Sequence, residues 1–408
     1  MLYHLKIYKS DKDFPESWPS TVGKHNVMLS EEYFRALLAS LPSNMECFVV
    51  GFFKKNELVG GALFQYIDFI GFKKLINNAS GLNIKNLFAA ILIKDVMILG
   101  NNMLTGQNGF YFDLSKVSVE DILMLLHQAV DTMQCEVRKT SLIIFKDYRK
   151  DFAEQFTGKE YKSYFRFAVQ PNMKLKIRES WKMFDDYVND FTKKYRSRVR
   201  TAKKRLQSIE KRELDLDSVK KYQQEMNDLY HHIADNASFN TFFLAENHFE
   251  KMKENMAEKF KIFGYFSGEA LVGFYTLLIN NNDVDTYFLG YHKELQKEKQ
   301  IYLNMLLDMV EFGIIHQFEN IVFGRTALEI KSTIGAEPTE IFGLIKHHHF
   351  MINPFIKFLF PFISPKTEWI QRRPFKRFLN LVFTITSIFV SIGTGFSPFT
   401  KYNFSSWL

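Results

Sequence analysis

LVGFYTLLINNNDVDTYFLGYHKE (271–294), followed beyond an apolar-faced stretch by NIVFGRTALEIKSTIGAEP (320–338), decides how this chain folds. Apolar residues on either side of Asn281-Asn282-Asp283 predict a strand pair, Ala270 to Ile279 and Val284 to Gly290. Ile301 to His316 carries Leu303, Leu306, Val310 and Ile314 at helical spacing, and Ile321 to Phe323 reads as a third strand. That strand delivers Gly324, Arg325 and Thr326, with Glu329 and Lys331 on a short helical turn beyond it. Polar groups at the C-terminal end of a strand are where an α/β scaffold exposes a reactive cleft. A purely structural segment has little need of Arg, Thr, Glu and Lys so close together there.

Working outward, Lys261 to Phe266 pairs across Ser267-Gly268-Glu269 with the strand from Ala270, and helices fill the region from Trp181 to about Met256. The first part of the chain repeats the order. Glu32 to Leu41 predicts a helix, Cys47 to Lys54 and Leu58 to Ile67 a hairpin turning at Lys55-Asn56, and Leu87 to Leu99 a buried strand region. Val119 to Thr132 then reads as a helix with Leu123, Leu126 and Val130 on one face, and Thr140 to Phe145 as a strand. Two α/β domains of mixed sheet and helices follow, residues 1–175 and 176–345, which a length of 408 residues accommodates.

Residues 346–408 differ in character. Five Phe lie between Phe350 and Ile363, interrupted by Pro354 and Pro361. Trp369 to Arg377 forms a basic, aromatic-edged collar, and Phe378 to Thr400 has no charged residue in 23 positions. That length suits either a bilayer span or an interfacial anchor, and the basic collar favours the cytoplasmic leaflet. A tail packed on the N-terminal domain is the other reading. The N-terminal MLYHLKIYKSDKDFPESW lacks the apolar core of a signal peptide, so the expected location is cytoplasmic, at the membrane surface.

A net charge of +8 suits anionic partners without choosing among phosphates, lipid, an acidic carrier protein or RNA. Two cysteines, Cys47 and Cys135, exclude a disulfide framework and a thiolate metal cluster. Three successive imidazoles, His347 to His349, cannot all point one way from a regular element, so no metal site is expected. The strongest charge signal is KKYRSRVRTAKKR (193–205), with eight positive charges in thirteen residues. Val199, Ala202, Leu206 and Ile209 can dock such a helix while Arg196, Arg200 and Lys203 face outward. Like charges four apart cost a few tenths of a kcal/mol each, roughly, which an anion would offset. Lys193, Arg196, Arg200 and Lys203 are therefore candidate ligands of a carrier's phosphates; a merely solvated basic helix is the bland reading.

Three pieces give the chain a family likeness: Lys194-Tyr195-Arg196 with Val199-Arg200 and Lys203; Leu271-Val272-Gly273-Phe274 through Tyr287-Phe288-Leu289-Gly290; and Phe323-Gly324-Arg325-Thr326 with Glu329, Lys331 and Gly335-Ala336-Glu337-Pro338. Together they resemble the double-domain, Fem-like branch of the GNAT superfamily, which also holds bacterial ceramide synthases and peptidoglycan-related acetyltransferase-like proteins. The resemblance covers about residues 175–340, and the first domain only by its order of elements. It implies tandem GNAT-like domains and transfer of an acyl group from a thioester, or an aminoacyl group from tRNA, to an amine. No heptad-rich arm is visible of the kind tRNA-using Fem enzymes carry, nor a clear Q/RxxGxG/A pyrophosphate loop. The Phe-rich C-terminus instead points to N-acylation of a lipid-like, sphingoid-type amine, with long-chain acyl-CoA or acyl-carrier protein as cosubstrate and no tightly bound cofactor. An aminoacyl-tRNA-dependent transferase on a cell-wall precursor is the alternative, and a non-enzymatic lipid- or RNA-binding protein a third reading.

Amine acylation needs a neutral amine, a carbonyl within attack distance and donors for the developing oxyanion. Glu329 is the first candidate for base or amine orientation; its structural alternative is an ion pair with Arg325 or Lys331. Arg325 and Lys331 are candidates for holding a carboxylate or phosphate. Tyr287 is a candidate donor to the oxyanion or leaving group, against an ordinary core tyrosine, and His292 lies just past the same strand. Asn304 and Glu337 are candidates at the substrate mouth, Glu337 by way of a turn from Gly335 to Pro338. Asp283 and Asp285 are discounted as turn residues. No Ser or Cys stands in a nucleophile elbow, which favours direct transfer.

Overall fold

In a computed structural model the described residues are 2–68, 94–106, 109–236, 240–358 and 368–376. The chain divides into two compact units, Met1–Pro374 and Phe375–Leu408. The uncharged segment from Phe378 and the apolar residues 87–93 lie outside the described residues. Among the described residues no helix is long and apolar enough to cross a membrane.

Two mixed sheets build the larger unit. The first contains β1 (Tyr3–Tyr8), β2 (Met45–Lys54), β3 (Glu57–Asp68), β4 (Asp95–Leu99), β5 (Phe110–Phe112), β6 (Leu142–Arg149) and β7 (Phe165–Ala168). The second contains β8 (Asn172–Lys176), β9 (Glu210–Glu213), β10 (Phe260–Ser267), β11 (Ala270–Asn280), β12 (Asp283–Tyr291), β13 (Asn320–Gly324) and β14 (Glu337–Thr339). A last strand, β15 (Ile341–His347), returns to the first sheet between β6 and β7. The two halves follow the same plan. Each has an antiparallel hairpin, a third strand, a helix (Val119–Thr132 or Ile301–Ile315) and a fourth strand parallel to the third.

The halves also exchange strands. β8, from the end of the first half, pairs with β13, while β15, from the end of the second, pairs with β6. Residues 341–347, grouped with the second domain by chain order, therefore complete the first sheet. The reason is that a parallel pair leaves an open strand edge on β6 and on β13, and an edge must be paired or shielded.

The predicted hairpins stand at their expected turns, with Lys55 and Asn281 in the left-handed region and Gly268 open for it. The basic helix spans Lys193–Leu206 and buries Val199, Ala202 and Leu206, as its apolar stripe dictates. One core joins the sheets. Residues of the first sheet and of helix Glu31–Ala39 pack with Met226, Leu229, Phe249 and Met252 from helices Gln223–Ala234 and His248–Met256, and with Phe260 and Phe274. The opposite face of the first sheet packs on helix Val119–Thr132 through Leu125, Leu126 and Val130. The inner faces of the two sheets thus meet across shared hydrophobic packing, and polar groups on those faces are desolvated.

Candidate active site between the sheets

β12 and β13 pair in parallel only from Asp283 to Asp285 and from Asn320 to Val322. β12 continues to Tyr291 and β13 ends at Gly324, so the strands part beyond these positions. Tyr287 lies on β12 just past the parting, and its ring is partly exposed. Its hydroxyl meets His248 Nε2 at 3.0 Å, and Tyr33 lies close enough to raise its pKa.

The directions of the surrounding bonds are fixed by their ends. Asn101 Oδ1 accepts from the Met103 amide at 3.0 Å, so its Nδ2 donates to the Tyr33 hydroxyl at 2.8 Å. At the far end Ser40 Oγ donates to the Ala36 carbonyl at 2.8 Å and so accepts, at 3.0 Å, from His248 Nδ1. A neutral imidazole with its proton on Nδ1 leaves Nε2 to accept from Tyr287. Burial holds the His248 imidazole neutral, lowering its pKa to about 4, and raises that of Tyr287 well above the usual phenol. The result is a one-way relay, Tyr287 to His248 to Ser40, leading from β12 to the end of helix Glu31–Ala39, with Tyr33 held beside it by Asn101.

Asp285 sits two residues before Tyr287 and is 4% exposed. Burial, then repulsion from Asp283, raises its pKa to about 7, while Asn280 and Lys174 act the other way. Asn280 Nδ2 reaches it at only 3.4 Å, and Tyr33 is also close enough to feel its charge. The folded protein therefore binds more protons here than the unfolded chain between the ordinary aspartate range and about pH 7, so stability is lost as pH rises through that window. Asp285→Asn should leave stability near pH 4 unchanged and raise it at pH 8 by roughly 2 kcal/mol. Urea unfolding at the two pH values checks this, and an equal effect at both would refute it.

Beside Gly324, Arg325 Nη1 faces Asp147 Oδ1 at 3.5 Å. Asp147 is 2% exposed, has a positive φ of 63°, accepts from the Gly106 amide and also pairs with Lys146. Lys146 Nζ donates to the Leu104 carbonyl at 2.7 Å; burial lowers its pKa to about 8 against the pull of Asp147. Two cations thus face one carboxylate, with Arg325 still about a third exposed. A strained, over-determined backbone of this sort gathers at functional sites.

Other expected residues are placed differently. Glu329 is an ion pair with Arg372, Nε at 3.0 Å, not with Arg325. It lines a cleft of about 490 Å³ together with Gln170, Arg198, Leu328, Thr333 and Trp369. Lys331 is buried, and its ammonium donates to the carbonyls of Phe323 and Gly324, capping β13 instead of facing a ligand. Burial lowers its pKa to about 7. Asn304 is fully buried and ties the long helix to the basic one, donating to the carbonyls of Ala202, Lys299 and Gln300. Glu337 opens edge strand β14 and is exposed, since the Gly335 turn leads into a ladder with β8. His292 precedes the helix Lys293–Lys299, its ring 5.2 Å from that of His232. On the basic helix Lys203 pairs with buried Asp308 and does not face outward, because Asp308 also draws Lys211 and Tyr265. Arg196 reaches the Asn189 carbonyl, whereas Lys193, Lys194, Arg198 and Arg200 are exposed.

His248, Tyr33 and Asn101 escaped the sequence reading, since nothing local marks three residues that meet only through tertiary packing. Asp285 was visible but discounted as a turn residue.

No family model and no curated protein matches the chain. Solved structures do. FemX aligns over 84% of this chain and 96% of its own, at 12% identity and a TM-score of 0.50. This is the tandem, Fem-like GNAT fold. A tandem GNAT protein from the clavulanic acid biosynthesis pathway aligns over 84% and 98% at 9% identity, TM-score 0.45, and L-PGS from Bacillus licheniformis over 82% and 96% at 11%, TM-score 0.47. In the tandem GNAT-like fold of this chain, the longest described helix between the basic helix and β10 has 12 residues. Among the described residues, then, no long helical arm is needed to cover nearly all of FemX.

Proposed function

We propose that the protein transfers an aminoacyl group from an activated carrier to an amine at the gap where β12 and β13 part, in the manner of the Fem-type enzymes. The carrier is an aminoacyl-tRNA and the acceptor a cell-wall precursor or lipid. What supports the reading is the parting of β12 and β13 after Asp285 and Val322, with Tyr287 on one strand and Arg325 just past the other. A carbonyl held in that gap meets a hydroxyl on one side and a guanidinium on the other.

Tyr287 takes the acid–base role: as the amine adds to the ester carbonyl its proton passes to the Tyr287 oxygen and the phenolic hydrogen to His248 Nε2, and the reverse shift delivers that proton to the carrier's ribose oxygen as its C–O bond breaks, which leaves His248 neutral again. Arg325 orients an acceptor carboxylate or phosphate, with Asp147 holding the guanidinium in place. Lys193, Lys194, Arg198 and Arg200 receive the carrier's phosphates. Glu329 acts at the carrier side of the 490 Å³ cleft once Arg372 releases it.

N-acylation of a sphingoid-type amine by long-chain acyl-CoA or acyl-carrier protein is the second reading, favoured by the Phe-rich sequence after Phe350. One experiment separates them. The protein is incubated with charged tRNA and either an amine-bearing lipid-linked peptide precursor or phosphatidylethanolamine, and in parallel with long-chain acyl-CoA and sphingoid amines; products are read by mass spectrometry. An aminoacylated product supports the proposal. Only an acyl amide moves the case to the second reading, and no product in either arm ends both.

A further inference from the structure

After β15 the chain makes a turn that places four large apolar side chains in solvent. Phe350, Met351, Phe355 and Phe358 are 79%, 63%, 60% and 62% exposed, while Ile356 between them is buried and anchors the segment. The ridge is held rigidly. The His348 amide donates to the Ser141 carbonyl at 2.8 Å, Asn353 Nδ2 donates to the Ser163 carbonyl at 2.7 Å, and Asn353 Oδ1 accepts from the His347 amide. Those anchors bring basic residues around it. Lys139 precedes Ser141, Lys162 precedes Ser163, Lys357 lies within the ridge, and all three are exposed. Lys346 lies over the Tyr164 ring at 5.3 Å. Arg138, next to Lys139, is paired with Glu46 and Asp95.

Large apolar side chains held clear of a folded body and ringed by lysines match the two layers of a bilayer surface, acyl boundary and anionic headgroups. The sequence beyond adds to this: LFPFI (359–363) and the uncharged 378–400 follow in the same chain. We infer that the ridge Phe350–Met351–Phe355–Phe358 docks the folded body onto an anionic lipid surface, apolar side chains in the acyl boundary and Lys139, Lys162 and Lys357 at the headgroups. This holds whichever group the enzyme transfers.

The test uses the full chain, with its C-terminal segment retained, and co-sedimentation with phosphatidylcholine vesicles with and without phosphatidylglycerol. The wild type should bind the anionic vesicles and release with salt. Phe350→Ser/Phe355→Ser/Phe358→Ser should lose about a hundredfold in partitioning, since three inserted rings are removed from the acyl boundary. Lys139→Glu/Lys162→Glu/Lys357→Glu touches only exposed side chains and should abolish the preference for phosphatidylglycerol. Unchanged binding by both variants assigns attachment to the C-terminal segment alone and overturns the inference. So does failure of the wild type to bind anionic vesicles, or a dimer in sedimentation velocity that the triple Ser variant loses. Aminoacyl transfer to a water-soluble acceptor should survive the triple Ser change, which separates this inference from the reaction.

Discussion

Tyr287→Phe is expected to lower kcat for group transfer by about 10²-fold while leaving KM for the carrier within a factor of a few, because a general acid–base group contributes about 10²–10⁴. The substitution keeps the ring that packs against Phe288 and Phe260 and removes only the hydroxyl. His248 Nε2 then loses its donor. His248→Gln should act in the same direction with a smaller loss, since the glutamine carbonyl can still accept from Tyr287. Rates and carrier binding are measured separately, and thermal melts establish that each variant is folded. If Tyr287→Phe retains kcat within about threefold, the relay is a packing device and the acid–base group must be sought elsewhere.

Gly290→Val should destabilise the protein by about 3 kcal/mol or more, at the upper end of overpacking costs. A Cβ at Gly290 would lie 2.4 Å from the Leu229 carbonyl carbon and 2.5 Å from the Tyr230 nitrogen. Those are backbone atoms of helix Gln223–Ala234, which cannot swing aside as a side chain would. The helix crosses β12 at this point because there is no side chain to hold it off, and its Tyr230 then packs on Phe288. Gly290→Ala should show the same sign with a smaller loss. Urea unfolding of the two variants beside wild type gives the result, and a loss below about 1 kcal/mol for Val would mean that the helix is free to move away.

The elements that could be read from the sequence were those whose signal is local. Alternation with turn residues marked β2–β3, β10–β11 and β11–β12, and the apolar stripes marked helices Val119–Thr132, Lys193–Leu206 and Ile301–Ile315. The short strands β8, β14 and β15 were not legible. They have three to seven residues, and each is defined by an edge contributed from elsewhere in the chain. The site followed the same division. Tyr287 and Arg325 stood out because strand ends carry chemistry in α/β folds. Lys331 stood out equally, yet its ammonium caps the strand that delivers Arg325, since a buried lysine must find carbonyls to accept its protons. Asp308 claims Lys203 for a similar reason: a carboxylate in the interior draws in the nearest cations. Charge counted along a helix does not reveal which of its members are already spoken for.

The mutual loan of β8 and β15 bears on how such a chain can be taken apart. A fragment cut out at 176 would leave behind the neighbour of its own β13, and the remaining N-terminal piece would lack the strand that covers β6. Each fragment would expose a naked ladder to solvent, an invitation to association with other chains. The two halves are therefore interlocked like clasped hands, and neither can be studied by separate expression.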